Sequence, residues 1–403
     1  MHLVLFSILL ILLFYNKVFG QYSSRPICTE DNKMSNALSW RETFDHKGHR
    51  KIPDTFCPSI KFYETIANSS TECGLKKAHI MVVGGNKGFD CVGWSRMYSN
   101  IPRDGNNWIP NAKDWMKIIK EIVWNARGDK VKVTCGACGQ CGNDYPTPPA
   151  SSPPLSMQPP QVTCVEPLPV NYEVLDQASK SEPWSKLSGI KAVQYAALLD
   201  TSPKTVLFPS NESAGMGFGI EFVGVTPNKH SKWAKREEPI TLVTVDDLVY
   251  STMNNHDHHN HIPTVLTVDT EGYDAHVLLG AARTLASGHV AYIEFEYHSY
   301  PPWSTFNLDW IIAYLSNLHY DCYFAGNHGE VWKVTGCEND TPEFFTFKTW
   351  SNLVCASRLQ KKPHTCWHDA IEKQVAVTAA KAAIRKQQLD KAAAVTGSTP
   401  PSA

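Results

Sequence analysis

The sequence lacks an excess of charge of either sign, a second long apolar run and the usual nucleotide-binding signatures. Its 403 residues include 38 Lys and Arg against 39 Asp and Glu, a formal net charge of −1. Because a nearly neutral chain has no broad basic field, we expect no nucleic-acid partner. The glycine-rich turn at 84–88 has neither the GxGxxG spacing of dinucleotide enzymes nor the Gly-Lys-Ser/Thr of a P-loop.

The long apolar run lies at the N-terminus, from Leu3 to Tyr15. It is shorter than the roughly 20 residues that a membrane-spanning helix needs, and Val18 and Gly20 offer small residues for cleavage after Gly20. We therefore expect residues 1–20 to be a signal peptide and the mature chain to have no stable membrane span. The residues ahead of the run include no Lys or Arg, so an uncleaved type II anchor is the alternative.

Cysteine usage agrees with a secretory destination. All twelve cysteines follow the N-terminal run, an even number that predicts disulfides in an oxidising compartment. Three Asn-x-Ser/Thr triplets, at Asn68, Asn211 and Asn339, fit the N-glycosylation pattern. We expect a glycoprotein of the secretory-pathway lumen or the extracellular space. The disulfide pairing and the oligomeric state stay open.

Composition divides the rest of the chain into three segments. Residues 21–75 are polar and carry three cysteines, which predicts a disulfide-pinned N-terminal extension. Residues 76–360 alternate strand and helix patterns, as expected of an α/β domain, with an insertion at 100–162 that ends in a Pro-rich loop. Residues 361–403 are rich in Ala and Lys and predict a helix followed by a disordered tail.

The insertion carries a CxxCxxC cluster from Cys135 to Cys141. A zinc site needs four ligands, which these three cysteines with Cys164 or a histidine would supply. In an oxidising lumen disulfides are favoured, with Cys164 as one candidate partner, so we predict no metal. The His-rich tract 256–261 is interpreted as a solvated polar loop.

A strand–helix–strand unit is predicted at 264–298. The apolar run Val265–Val268 is typical of a strand buried on both faces. The polar segment Asp-Thr-Glu-Gly-Tyr-Asp at 269–274 predicts a turn, and His276–Leu285 has its apolar residues on one helical face. Val290–Phe295 predicts a second strand, parallel to the first.

Acidic residues lie at the ends of both strands of this unit. Asp269 and Glu271 follow the first, and Glu294 and Glu296 lie at the end of the second, with His298 beyond them. Ligands of open α/β sheets bind outside the carboxyl ends of the strands, so we look for the functional site here. The competing interpretation of Asp269 is a helix N-cap or a structural ion pair.

The turn Gly84-Gly85-Asn86-Lys87-Gly88 follows a predicted strand and precedes a predicted helix. Glycines allow the backbone to approach a ligand, and the amides at the helix start can donate to it, although many glycine pairs are only tight turns. Glu166 ends the next strand, where an acid can accept hydrogen bonds from ribose hydroxyls.

The order of these motifs resembles that of the FkbM family of S-adenosylmethionine-dependent methyltransferases, over roughly 78–99 and 162–357. The matching motifs are VVGGNKG at 82–88, VEP at 165–167 with Asn171 and Leu175, ALLD at 197–200, TVDDL at 244–248 and VDTEGYDAHVLLG at 268–280. The last of these is the most specific to the family.

The resemblance implies an α/β fold that is Rossmann-like and doubly wound, of the class I methyltransferase type. We expect a mostly parallel sheet of about seven strands, with an antiparallel C-terminal hairpin formed by 321–324 and 331–334. The implied cofactor is S-adenosyl-L-methionine, and the implied activity is O-methyl transfer. The expected acceptor is a hydroxyl or carboxyl of a glycan or small molecule.

The resemblance also assigns roles to individual residues. Those implied to bind the cofactor are Gly84, Gly85, Asn86 and Gly88 at its methionine part, Glu166 at its ribose, Leu198 and Asp200 beside its adenine, and Asp269 beside its sulfur. Asp269 and Glu271 are implied to orient the acceptor hydroxyl or remove its proton, and Glu296 is the third catalytic candidate.

Two other functions compete with this one. Because the cofactor is not made in the secretory lumen, a methyltransferase there needs cofactor import, and this favours a secreted, non-catalytic binding module that retains the fold. A nicotinamide-dependent oxidoreductase on a similar sheet is disfavoured, since neither GxGxxG nor a Tyr-x-x-x-Lys pair in a suitable helix is present.

Overall fold

A computed structural model describes residues 28–29, 60–72, 78–86, 88–98, 112–127, 160–182, 184–187, 189–197, 199, 204–209, 237–250, 262–298, 303, 306–326, 329–337, 351–359 and 364–396. The predicted signal peptide, the CxxCxxC cluster and the His-rich tract lie outside these residues. So do two predicted adenine neighbours, Leu198 and Asp200, and two glycosylation candidates, Asn211 and Asn339. The third candidate, Asn68, is exposed on a helix.

Strands and helices alternate along most of the described chain. The strands are β1 (His79–Val83), β2 (Gln161–Val165), β3 (Ile190–Val193), β4 (Ala196–Ala197), β5 (Thr205–Pro209), β6 (Glu237–Val243), β7 (Val265–Val268), β8 (Tyr292–Tyr297), β9 (Tyr320–Ala325), β10 (Val331–Lys333) and β11 (Ser351–Ser357). The helices are α1 (Ile60–Glu72), α2 (Phe89–Met97), α3 (Ala112–Arg127), α4 (Pro169–Lys180), α5 (Trp184–Leu187), α6 (Val245–Tyr250), α7 (Asp274–Leu279), α8 (Ala282–Ala286), α9 (Leu308–Asn317) and α10 (His364–Thr396).

Over the residues that the structure describes, the central sheet has eight strands in the order β10-β9-β11-β8-β7-β1-β2-β3. β3, β2, β1, β7 and β8 are mutually parallel. β11 is antiparallel to both of its neighbours, β8 and β9, and β10 is antiparallel to β9. The α/β class, the mostly parallel sheet and the predicted hairpin of β9 and β10 are therefore confirmed, and the about seven strands expected correspond to eight among the described residues.

Helices cover both faces of this sheet, because its inner strands are apolar on both sides. Along β1, Ile80 and Val82 belong to one core cluster with residues of α1 to α4 and α10. Met81 and Val83 belong to the other, with residues of α6 to α9. A strand buried on both faces needs an unbroken apolar run, and HIMVV supplies one.

The chain reverses its direction across the sheet beside β1. From β1 it proceeds outward through β2 to β3, and it then returns to β7 on the other side of β1. The chain segments that leave the carboxyl ends of β1 and β7 therefore run in opposite directions. They leave a crevice between the two strand ends, which is where ligands usually bind in such sheets.

Two segments differ from the sequence-based expectation. The strand predicted at 193–199 is two strands, because β3 ends at Val193 in the central sheet while β4 pairs with β6 in a separate sheet, β4-β6-β5. The helix predicted at 276–285 is broken into α7 and α8 at Gly280 and Ala281. Glycine weakens a helix interior, which accounts for the break.

Every described cysteine is disulfide-bonded. Cys28 pairs with Cys337, Cys322 pairs with Cys355 across β9 and β11, and Cys91 of α2 pairs with Cys164 of β2. The pairing of Cys164 with Cys91 corrects the suggestion that the CxxCxxC cluster uses it. Among the described helices, none is both long enough and apolar enough to cross a membrane.

The first half of α10 packs on the β9–β10 edge through an ionic cluster. Asp321, which is 3% exposed, lies 3.0 Å from Lys333 Nζ, 2.6 Å from Arg358 Nη1 and 3.0 Å from His368 Nε2. Glu372 of α10 also contacts Lys333. We call these five residues the edge cluster. Burial alone would raise the pKa of Asp321, but the hydrogen bond from His368 and the charges of Lys333 and Arg358 hold it well below its usual range.

Candidate functional site

The glycine turn after β1 is held against the ends of both neighbouring strands. Gly84 N and Gly85 N each donate to the Val165 carbonyl at 2.9 Å, and Asp269 N donates to the Val83 carbonyl at 2.9 Å. Gly84 has φ +90°, and a Cβ there would lie 1.7 Å from the Asp269 carbonyl oxygen. Only glycine fits this position, so the turn is fixed in close contact with the end of β7.

Gly88 is also tightly enclosed, and Gly85 less so. A Cβ on Gly88, at φ +85°, would lie 2.5 Å from Leu175 Cδ1 and 2.9 Å from Trp115 Cζ2. A Cβ on Gly85 would lie 3.3 Å from the Cβ of Cys164, beside the Cys91–Cys164 disulfide. Helix α3, which lies in the insertion, thus packs through Trp115 on the glycine turn.

Glu166, at the end of β2, binds this turn directly. Its Oε2 accepts a 2.7 Å hydrogen bond from Asn86 N, and its Oε1 accepts bonds from Leu168 N at 3.0 Å and Asn171 Nδ2 at 3.5 Å. Asn171 Nδ2 also donates to Asn86 Oδ1 at 3.2 Å. Asn86 itself has φ 45°, a conformation that this network holds.

The Asp-Thr-Glu-Gly-Tyr-Asp turn is organised by its last residue, Asp274, whose importance the sequence did not reveal. Its fully buried carboxylate accepts 3.2 Å hydrogen bonds from Thr270 Oγ1, Gly272 N and Glu296 N. Burial raises its pKa to about 7, although these donors oppose the shift. Asp274 therefore ties the turn after β7 to the end of β8.

Alternation along β8 places Glu294, Glu296 and His298 on one face of the sheet. Glu294 accepts hydrogen bonds from Tyr63 OH of α1 at 2.6 Å and from Tyr292 OH at 2.8 Å. Burial raises the pKa of Glu294 to about 7. The hydrogen bonds from the two tyrosines give Glu294 a structural role at the base of the crevice. Its role therefore differs from that of Glu296.

Glu296 and His298 meet Glu271 at the end of β7. One ligand atom from each of the three side chains lies within 4.8 Å of the others, and Glu296 and His298 are 8% and 1% exposed. We call these three residues the crevice cluster. Burial lowers the pKa of His298 to about 4, so its imidazole is neutral at pH 7.

The structure brings most of the predicted site residues to one edge of the sheet. Those at the carboxyl ends of β1, β2, β7 and β8 are Gly84, Gly85, Asn86, Gly88, Glu166, Asp269, Glu271 and Glu296. Leu198 and Asp200 lie outside the described residues, and the earlier end of β3, at Val193, moves the strand end away from them. His298, which lies beyond Glu296 in the sequence, joins the crevice cluster because period-two alternation continues past the end of β8.

Compared with protein-family models, with curated proteins and with solved structures, the chain has no significant match. The resemblance to the FkbM methyltransferases therefore depends on the motifs alone.

Proposed function

We propose that this protein is an S-adenosylmethionine-dependent methyltransferase that methylates a hydroxyl or carboxyl oxygen of a glycan or small molecule. The observation that supports this most directly is the contact between Gly84 and the Asp269 carbonyl at the reversal point of the sheet. It joins the glycine turn to the acidic strand end, as a site that holds a nucleoside cofactor next to an acceptor requires.

The chain's own groups fit such a cofactor. Close packing of Gly84 on the Asp269 carbonyl and of Gly88 on Leu175 fixes the backbone of the glycine turn beside the end of β7, where the methionine part would lie. Glu166, at the end of β2, is placed where an acid can accept hydrogen bonds from ribose hydroxyls. When bound, the cofactor supplies a methyl group on a positively charged sulfur. Carboxylates of Asp269, Glu271 and Glu296 near the crevice favour a cation there.

Methyl transfer needs positioning and one proton acceptor. An electron pair of the acceptor oxygen forms the new bond to the methyl carbon, while the electrons of the carbon–sulfur bond move to sulfur. A hydroxyl acceptor then loses its proton, for which Asp269 or Glu271 is suited by position. Holding the two reactants in line supplies most of the rate increase.

A secreted, non-catalytic module is the second candidate, and one observation favours it. Both oxygens of Glu166 are already bonded within the chain, to Asn86, Leu168 and Asn171. A carboxylate that only stabilises the turn would give the same contacts. The disulfides agree with an oxidising compartment for either function.

Titration calorimetry of the secreted protein with S-adenosylmethionine, and separately with NAD, tests the proposal. We expect micromolar binding of S-adenosylmethionine alone, and its loss in Glu166→Ala with the fold retained in a thermal melt. The control is Glu173→Gln, an exposed position on α4. No binding by a cooperatively melting native protein would favour the non-catalytic module.

A further inference from the structure

We propose that Glu271, Glu296 and His298 bind one divalent transition-metal ion, and that this ion takes two oxygen atoms of the acceptor as further ligands. The metal site is inferred from the described residues alone. Its part in holding the acceptor rests on the proposed methyl transfer.

The donor set is the first argument. Two carboxylates and one imidazole reach the same point from two adjacent strand ends, with their ligand atoms within 4.8 Å of one another. Two ligands on opposite sides of an ion are about 4.4 Å apart at bond lengths of about 2.2 Å, so small side-chain movements close the site. Mixed oxygen and nitrogen donors suit Mn²⁺, Fe²⁺ and Zn²⁺, and three protein ligands leave positions open for a substrate.

The scaffold around the donors is the second argument. Glu271 has φ 54°, an uncommon conformation for a non-glycine residue, and Gly272 beside it has φ 107°. Asp274 accepts hydrogen bonds from both Gly272 N and Glu296 N. One buried carboxylate therefore fixes both the turn that carries Glu271 and the strand end that carries Glu296. Outer partners of this kind orient metal ligands in known sites, and backbone strain is typically kept where it serves function.

The neighbouring strand provides an independent sign of a ligand. Thr267 of β7 lies in register with Glu294, on the face that carries Glu296 and His298. It is 7% exposed, and within the described part of the chain its hydroxyl has no hydrogen-bond partner. Leaving a buried hydroxyl unpaired costs about 1–3 kcal/mol, which a bound ligand or its water would offset.

The acceptor class follows from the open positions on the ion. An acceptor with two neighbouring oxygens, such as a vicinal diol or a hydroxy acid, would occupy both and present one oxygen to the methyl group. The ion lowers the pKa of a bound hydroxyl, and its proton passes to Asp269, which is not among the metal ligands.

The test is Mn²⁺ binding by the full-length secreted protein without an affinity tag, freed of metal with EDTA. The six-line electron paramagnetic resonance signal of aqueous Mn²⁺ decreases as the ion binds. We expect one site per chain and an affinity loss of at least about 10- to 100-fold in Glu296→Gln and in His298→Ala. A variant with the four histidines of tract 256–261 replaced by asparagine should keep this site.

The edge cluster offers a matched control, because it contains the same ligand types in Asp321, His368 and Glu372. Lys333 and Arg358 already neutralise its carboxylates, so His368→Ala should leave Mn²⁺ binding unchanged. If Glu296→Gln does not melt cooperatively, the half-buried Glu271→Gln replaces it.

Absence of saturable Mn²⁺ and Zn²⁺ binding in the native protein would overturn the inference, as would binding that the tract variant abolishes or that His368→Ala weakens equally. Calorimetry with S-adenosylmethionine in the presence of EDTA separates this result from the proposed function. Cofactor binding without metal binding would reject the metal site and would not contradict the proposed methyl transfer.

Discussion

Two clusters in this protein combine two carboxylates with a histidine, and their surroundings give them opposite roles. In the edge cluster, Asp321 bridges Lys333, Arg358 and His368, so its negative charge is balanced within the chain. In the crevice cluster, Glu271 and Glu296 approach each other beside His298 and the buried Asp274. The first arrangement attaches α10 to the sheet, whereas the second lies at the carboxyl ends of β7 and β8.

The difference shows why residue types alone do not identify a site. In both clusters the three ligand atoms lie within 4.8 Å of one another. In the edge cluster Lys333 and Arg358 contact Asp321, whereas in the crevice cluster a turn with φ 54° presents Glu271. The surroundings of each cluster, and not its residue types, therefore distinguish a structural ion network from a candidate site.

The largest stability effect is expected at the edge cluster. Asp321→Asn removes the carboxylate that three positive or hydrogen-bonding groups share, and breaking a buried pair of this kind costs about 3–5 kcal/mol. We expect about 3 kcal/mol, since Lys333 and Arg358 remain partly exposed. Urea denaturation measures the loss.

The matched control for Asp321→Asn is Asp176→Asn, which removes an exposed pair with Lys180 one helical turn away. It should change the free energy of unfolding by no more than about 0.5 kcal/mol. Equal effects of the two substitutions would contradict the role given to the edge cluster.

The edge cluster should also make the protein sensitive to acid. Because the folded-state pKa of Asp321 is held below its unfolded value, its contribution is present above the ordinary Asp pKa and is lost as pH falls below it. One such proton gives a slope of at most about 1.4 kcal/mol per pH unit. Asp321→Asn should flatten the acid limb of a plot of unfolding free energy against pH, and an unchanged slope would argue against this assignment.

The smallest change in the free energy of unfolding is expected in the crevice cluster, and there the substitution should stabilise the protein. Glycine accepts φ 54° without strain, so Glu271→Gly should relieve the backbone and stabilise the fold by up to about 1 kcal/mol, less the entropy that glycine loses on folding. The same change should abolish Mn²⁺ binding. Glu271→Gln keeps the backbone strain and serves as the comparison in chemical denaturation. Marked destabilisation by Glu271→Gly would mean that its side chain is structural.

Local patterns predicted much of the fold. The apolar runs of β1, β7 and β8, the turn after β7 and the β9–β10 hairpin each involve residues close in sequence, where periodicity and turn residues suffice. The position of β11 between β8 and β9, and the separation of β4 from β3, depend on pairing between distant segments. No local sequence pattern predicts pairing between segments that are far apart in the chain.

For the site, the sequence by itself determined which chemistry was present: a glycine turn, an acid after each of several strands, and cysteines in pairs. The tertiary structure decided how these groups are used. In the folded protein Glu166 accepts a hydrogen bond from Asn86 N, Asp274 links the turn after β7 to β8, and His298 lies close to Glu271. The use of a carboxylate depends on distances of a few ångströms between residues far apart in the chain, and only folding sets those distances.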